Sequence, residues 1–145
     1  MVRRVSNGEV GIMEWDNEPD RVEFIHCGLR CLILRGPMGS LNGYVELPES
    51  SSAWGMDHMW ENPFEVHGGI TFSGTLDQIM QEETYYAVGF DTAHAWDVIP
   101  KLNGRWTITD NSTYKNLEFV TNETKSLAEQ IQATLPNPAA LDLFK

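Results

Sequence analysis

The chain has 145 residues, with 21 Asp plus Glu against 10 Lys plus Arg, for a formal net charge of -11. That length fits one domain whose core buries about two-thirds of the unfolded surface, so folding needs neither a metal nor a disulfide. The acidity argues against binding a DNA or RNA duplex, and no run of about 18 apolar residues and no signal peptide points to a membrane or to secretion.

Residues 1–20 are polar and acidic and read as a first strand or a loose N-terminal arm. Val22 to Ile25 alternates apolar and charged residues, the pattern of a half-buried strand. Leu29 to Leu34 is a second candidate strand, and Leu41 to Leu47, closed by Pro48, is a third. The Gly36-Pro37-Met38-Gly39 stretch between them reads as a hairpin turn. On one extended face Cys27 and Cys31 lie about 13 Å apart, too far for a disulfide. They read as reduced, packed thiols in a cytoplasm, where the sequons at Asn111 and Asn122 carry no glycan.

Residues 49–65 form a long connection rich in aromatic and methionine side chains, among them Trp54, Met56, Trp60 and Phe64. Such a segment packs over the core edge or covers a site. Ile70 to Phe72 reads as a short strand, and Thr75 to Glu83 as a helical turn carrying Leu76, Ile79 and Met80. Tyr85 to Phe90 is strongly apolar and reads as a central strand. His94 to Asp97 is a loop or one helical turn, and Trp106 to Ile108 a last short strand. A helix starts at Ser112 or Thr113 as N-cap. It carries the stripe Tyr114, Leu117, Val120, Leu127, Ala128 and Ile131, turns Lys115 to water, and is ended by Pro136 and Pro138. The expected fold is α+β: a single domain over residues 1–145, with a mostly antiparallel sheet, one long C-terminal amphipathic helix and a tail over 136–145.

The chemistry concentrates between Val66 and Asp97. His67 precedes Gly68 and Gly69, whose missing Cβ atoms permit a sharp turn, and consecutive free N–H groups there would hold an anion. Asp91, His94 and Asp97 follow at a spacing of three residues. On one helical turn they share a face; on a loop they converge. Carboxylates with imidazoles suit general acid/base work, a divalent metal or a hydrogen-bonded loop staple. His67, Asp91 and His94 are the catalytic candidates. The ligand-binding candidates are His67, Gly68, Gly69, Asp91, His94, Trp96 and Asp97, with Trp96 as a stacking wall. The spacing matches no established metal signature, so no cofactor is assigned, and a divalent ion stays an alternative. Nucleophiles are thin: no Gly-x-Ser-x-Gly elbow surrounds Ser73.

Several strings resemble, in order over roughly residues 27–131, a group of small tailed-phage and prophage proteins. They are Cys31 to Arg35, Leu41-Asn42-Gly43-Tyr44-Val45-Glu46-Leu47-Pro48, the His67-Gly68-Gly69-Ile70-Thr71-Phe72-Ser73-Gly74 run, Gly89-Phe90-Asp91-Thr92-Ala93-His94-Ala95-Trp96-Asp97, Tyr114 to Val120, and Leu127 to Gln130. The usual version of the second run is Phe-Asp-Cys-Ala-His-Ala-Gly-Asp; here Thr92 and Trp96 replace Cys and Gly. The resemblance implies phage origin and a place in the host cytoplasm, without a settled activity. The expectation is a phage accessory protein that binds a small polar, nucleotide-like ligand, a signal nucleotide of host defence being the kind meant. The alternatives are a small phosphodiesterase-type hydrolase using the His and Asp residues, and an acidic inhibitor of a host defence protein.

Overall fold

In the computed structural model, residues 13–56, 63–76, 85–102 and 112–136 are described. Five strands and one helix follow in chain order: β1 (Arg21–His26), β2 (Leu29–Arg35), β3 (Leu41–Glu46), β4 (Phe72–Thr75), β5 (Tyr86–Phe90) and α1 (Leu117–Gln132). The sheet order is β1-β2-β3-β5-β4, and every neighbouring pair is antiparallel. The α+β expectation therefore holds, with β5 inserted between β3 and the edge strand β4.

The first hairpin is tight because Cys27 and Gly28 both take left-handed backbone, with φ of 55° and 75°. Such two-residue turns match the twist of the flanking strands. Cys27 therefore sits in a turn, and does not share an extended face with Cys31. In the second hairpin, Gly36 N–H donates to Ser40 O and Gly39 N–H to Gly36 O, as the Gly-Pro sequence suggests.

Strand alternation sorts the core. Cys31, Ile33, Val45, Val88 and Phe90 pack with Val120, Leu127 and Ile131 of α1. Leu32, Tyr44 and Ala87 point to the other face, where they meet Leu76 and Tyr85. Each fully buried Leu, Ile or Val contributes roughly 1.5–3 kcal/mol of burial. Gly43 lets the helix come close: a Cβ there would strike the Thr124 hydroxyl and lie 2.6 Å from the Phe90 ring. Among the described residues no helix is long and apolar enough to cross a membrane.

Three expectations need correction. The helix begins at Leu117, with Asn116 as N-cap; its side chain accepts from Phe119 N–H at 2.9 Å. Ser112 and Thr113 lie upstream, because Thr113 spends its backbone on the loop before it. Its N–H donates to Trp96 O at 3.2 Å, and its carbonyl accepts from Val98 N–H at 2.9 Å. Tyr114 leaves the helical stripe and packs with Met13, Trp15 and Val98. The strand expected at Ile70 to Phe72 runs instead from Phe72 to Thr75, so Thr75 belongs to a strand and not to a helical turn. Met13 and Trp15 are buried, and a short 3-10 turn spans Glu14–Asn17. The rest of the expected arm, most of the 75–83 turn, the 106–108 strand and the tail beyond residue 136 lie outside the described residues.

Candidate functional site

The predicted residues come together where three segments meet: the turn after Val66, the loop after β5 and the approach to α1. Gly69 N–H donates to Val66 O at 2.9 Å and closes the first turn. Its inward aim means that Gly68 and Gly69 do not offer two open amides to an anion. His67 N–H donates to Glu123 Oε1 at 2.8 Å, fastening the turn to the helix. Gly68 has a φ of 71°, and a Cβ on it would collide with the His94 ring. Glycine is required there twice over, by backbone and by contact.

After β5, Asp91 Oδ1 accepts from Ala93 N–H at 3.1 Å and starts the loop. Thr92 is buried, and its hydroxyl donates to Leu41 O at 2.8 Å. Thr92 is thus a structural peg in this chain. Asp97 N–H then donates to His94 O at 2.9 Å and turns the loop back.

Asp97 is the hub. Its side chain is 0% exposed, and it accepts from four donors. His67 Nε2 lies 2.9 Å from both oxygens. His94 reaches Oδ2 twice, through its backbone N–H and through Nδ1, each at 3.0 Å. Lys115 Nζ lies 3.0 Å from Oδ1. Burial pushes the carboxyl up, but the bonds from His67, the His94 backbone, Lys115 and the His94 ring together hold it below the ordinary carboxylate range. An ionised carboxylate accepts and does not donate, so each of these ring nitrogens donates an N–H to Asp97.

His94 is thereby fixed in a slot. Gly68 touches one part of the ring, and Trp96 stacks on it with centroids 5.3 Å apart and planes 12° apart. Its Nε2 edge faces Asp91 Oδ1 at 3.4 Å. His67 meets the His94 ring edge-on at 5.2 Å and Phe119 at 5.3 Å. The Trp96 side is open: that residue is 54% exposed. A ligand can reach Asp91, the outer edge of His94 and the face of Trp96. A nucleotide-sized ligand stops short of Asp97, whose side chain is 0% exposed and which acts through the two imidazoles. One ligand atom each from His67, His94 and Asp97 lies within 4.8 Å of the others, so the three could hold a metal ion.

Other reactive and aromatic side chains stand apart from this cluster. Cys31 is buried, and burial pushes its thiol up to about 12, so it is no nucleophile at neutral pH. His26 pairs with Glu129 at 2.9 Å, and Arg30 with Glu46 at 3.0 Å while lying over the Tyr85 ring. Trp54 packs on Tyr86 at the start of β5, about 17 Å of strand from the loop that follows its end. Trp60 lies outside the described residues. A polar cleft of about 380 Å³ lined by Trp15, Glu18, Asp20, Arg35 and Lys101 contains none of the predicted site residues.

Lys115, Glu123 and Phe119 complete the site without having been singled out. Lys115 read as a water-facing helix residue; with the helix starting at Leu117, it lies in the extended approach and turns inward. Compared with protein-family models, curated proteins and solved structures, the chain gives no match.

Proposed function

We propose that this chain is a phage accessory protein that binds a small polar, nucleotide-like ligand at the His94–Trp96 face, acting in the host cytoplasm to counter host defence. The observation that carries the ligand reading is the buried Asp97. It orients His94 so that one ring edge faces outward beside Asp91 and an exposed indole. A planar base stacks on Trp96, and the outer edge of His94 with Asp91 supplies directional hydrogen bonds. Phage origin and the counter-defence role come from the resemblance of the two runs. In calorimetric titrations with cyclic and linear nucleotides, one of them binds, and Asp91→Ala or His94→Ala weakens it about tenfold or more. No binding by any nucleotide, or equal binding by the variants, sinks the proposal.

A hydrolase is the second reading, favoured by the Asp97–His94 pair. Asp97 holds the Nδ1–H tautomer, which leaves Nε2 as the proton acceptor for a water, with or without a divalent ion. Phosphodiester turnover that survives both His94→Ala and His67→Ala removes this reading; turnover that survives EDTA removes only its metal form.

A further inference from the structure

We infer that His67 Nε2, His94 Nδ1 and Asp97 form a binding site for a zinc-class divalent ion, and that the Lys115 ammonium is the group such an ion displaces. The inference concerns the same site as the ligand proposal but does not need a nucleotide.

The donor set is two imidazole nitrogens and one carboxylate, which suits zinc and its neighbours better than the all-oxygen ions magnesium or calcium. The geometry is close to what an ion needs. Both ring nitrogens sit at 2.9 and 3.0 Å from the same Asp97 oxygen. Tetrahedral bonds of about 2.0–2.1 Å place neighbouring ligand atoms about 3.3 Å apart, so each nitrogen–oxygen pair opens by a few tenths of an ångström, while the two nitrogens already lie within 4.8 Å of each other. His94 also has an outer partner. With Nδ1 on the ion, the proton it now donates moves to Nε2, which faces Asp91 Oδ1 at 3.4 Å. A carboxylate behind a ligating imidazole fixes its ring and tautomer. The proton on His67 Nε2 moves to Nδ1 of the same ring, so neither neutral imidazole releases one.

Lys115 supplies the counter-charge to the buried carboxylate. It has somewhere to go: Nζ also reaches Thr113 O at 3.3 Å and the Thr113 hydroxyl at 2.5 Å. Withdrawal from Asp97 costs it one of three oxygen partners, while a dication beside Asp97 repels it.

The purified full chain, free of nucleotide, is titrated with Zn²⁺ by calorimetry and with Co²⁺ by visible absorption. One equivalent binds, and cobalt shows the strong d–d bands of a four-coordinate site. His67→Gln and His94→Gln each weaken binding about tenfold or more, and Lys115→Met tightens it roughly tenfold. Zinc also protects His67 and His94 of the unsubstituted chain from diethyl pyrocarbonate, read by mass spectrometry, which answers the question if a variant fails to fold. Absence of stoichiometric binding, equal affinity in the His67→Gln/His94→Gln pair, or no protection overturns the site. Unchanged affinity in Lys115→Met overturns the displacement. Zinc binding without any nucleotide affinity leaves this inference standing and removes the ligand proposal alone.

Discussion

Two carboxylates grip consecutive residues just before the helix, and they do so with different chemistry. Glu18 takes the Tyr114 hydroxyl and Arg35 on one oxygen, and the Leu117 N–H on the other at 2.7 Å. Arg35 spends its remaining N–H groups on Asp20 at 2.8 Å, Gly39 O at 2.8 Å, Tyr114 Oη at 2.9 Å and Pro19 O at 3.4 Å. Burial and then Glu18 push the Tyr114 phenol upward, so no partner of Glu18 changes its proton near neutral pH. Asp97 instead gathers two imidazoles and a lysine, and one imidazole keeps an edge beside open surface. Saturation by permanent donors makes a clamp. Saturation by groups that can change tautomer or partner makes a clamp with an exposed working edge.

The comparison breaks most visibly at Asp97. Asp97→Ala leaves two ring N–H groups without their acceptor, takes one of three oxygen partners from the Lys115 ammonium, and costs about 3–5 kcal/mol in urea unfolding. The same carboxylate sets a pH dependence. Its folded value lies below the unfolded one near 3.9, so its stabilisation is complete above about pH 4 and is lost as pH falls through the folded value. The stability difference between the unsubstituted chain and Asp97→Asn should therefore shrink on acidification below about pH 4; a difference that stays constant to pH 2 contradicts the hub.

Gly68→Ala comes next, at about 2–4 kcal/mol, from left-handed backbone and a clash with the His94 ring. It should move the His94 ring resonances in NMR spectra. Glu18→Gln costs about 1–2 kcal/mol and leaves zinc and nucleotide titrations unchanged, which separates the two clamps. Trp96→Ala changes stability by less than about 0.5 kcal/mol, yet weakens nucleotide binding about tenfold. Loss of stability without loss of binding in that variant would place Trp96 in the core and not in the site.

Much of the frame was legible along the chain. The alternation at Val22 to Ile25, the apolar run at Tyr85 to Phe90 and the stripe through Val120, Leu127 and Ile131 each express burial against a neighbour. Burial has a period, so it shows in a single sequence. The helix start was misplaced because Tyr114 fits the stripe by spacing while burying itself against Trp15. The convergence of His67, His94 and Asp97 was visible as candidates only. Lys115 was not visible, because it meets Asp97 from a separate segment of the fold and no local period encodes such a contact. The same holds for Glu123, whose carboxylate meets the His67 backbone from the second turn of the helix.

Gly43 and the Asp97 hub together set a timetable for synthesis. The β1-β2-β3 meander is built of neighbours and can pair as soon as it leaves the ribosome, N-terminus first. The hub needs residues 67, 94, 97 and 115 at once. It closes only after the chain beyond residue 115 has emerged and the helix has settled onto Gly43. A nascent chain that has not yet released residue 115 thus lacks the site, and whatever the site does waits for Lys115 and the helix behind it.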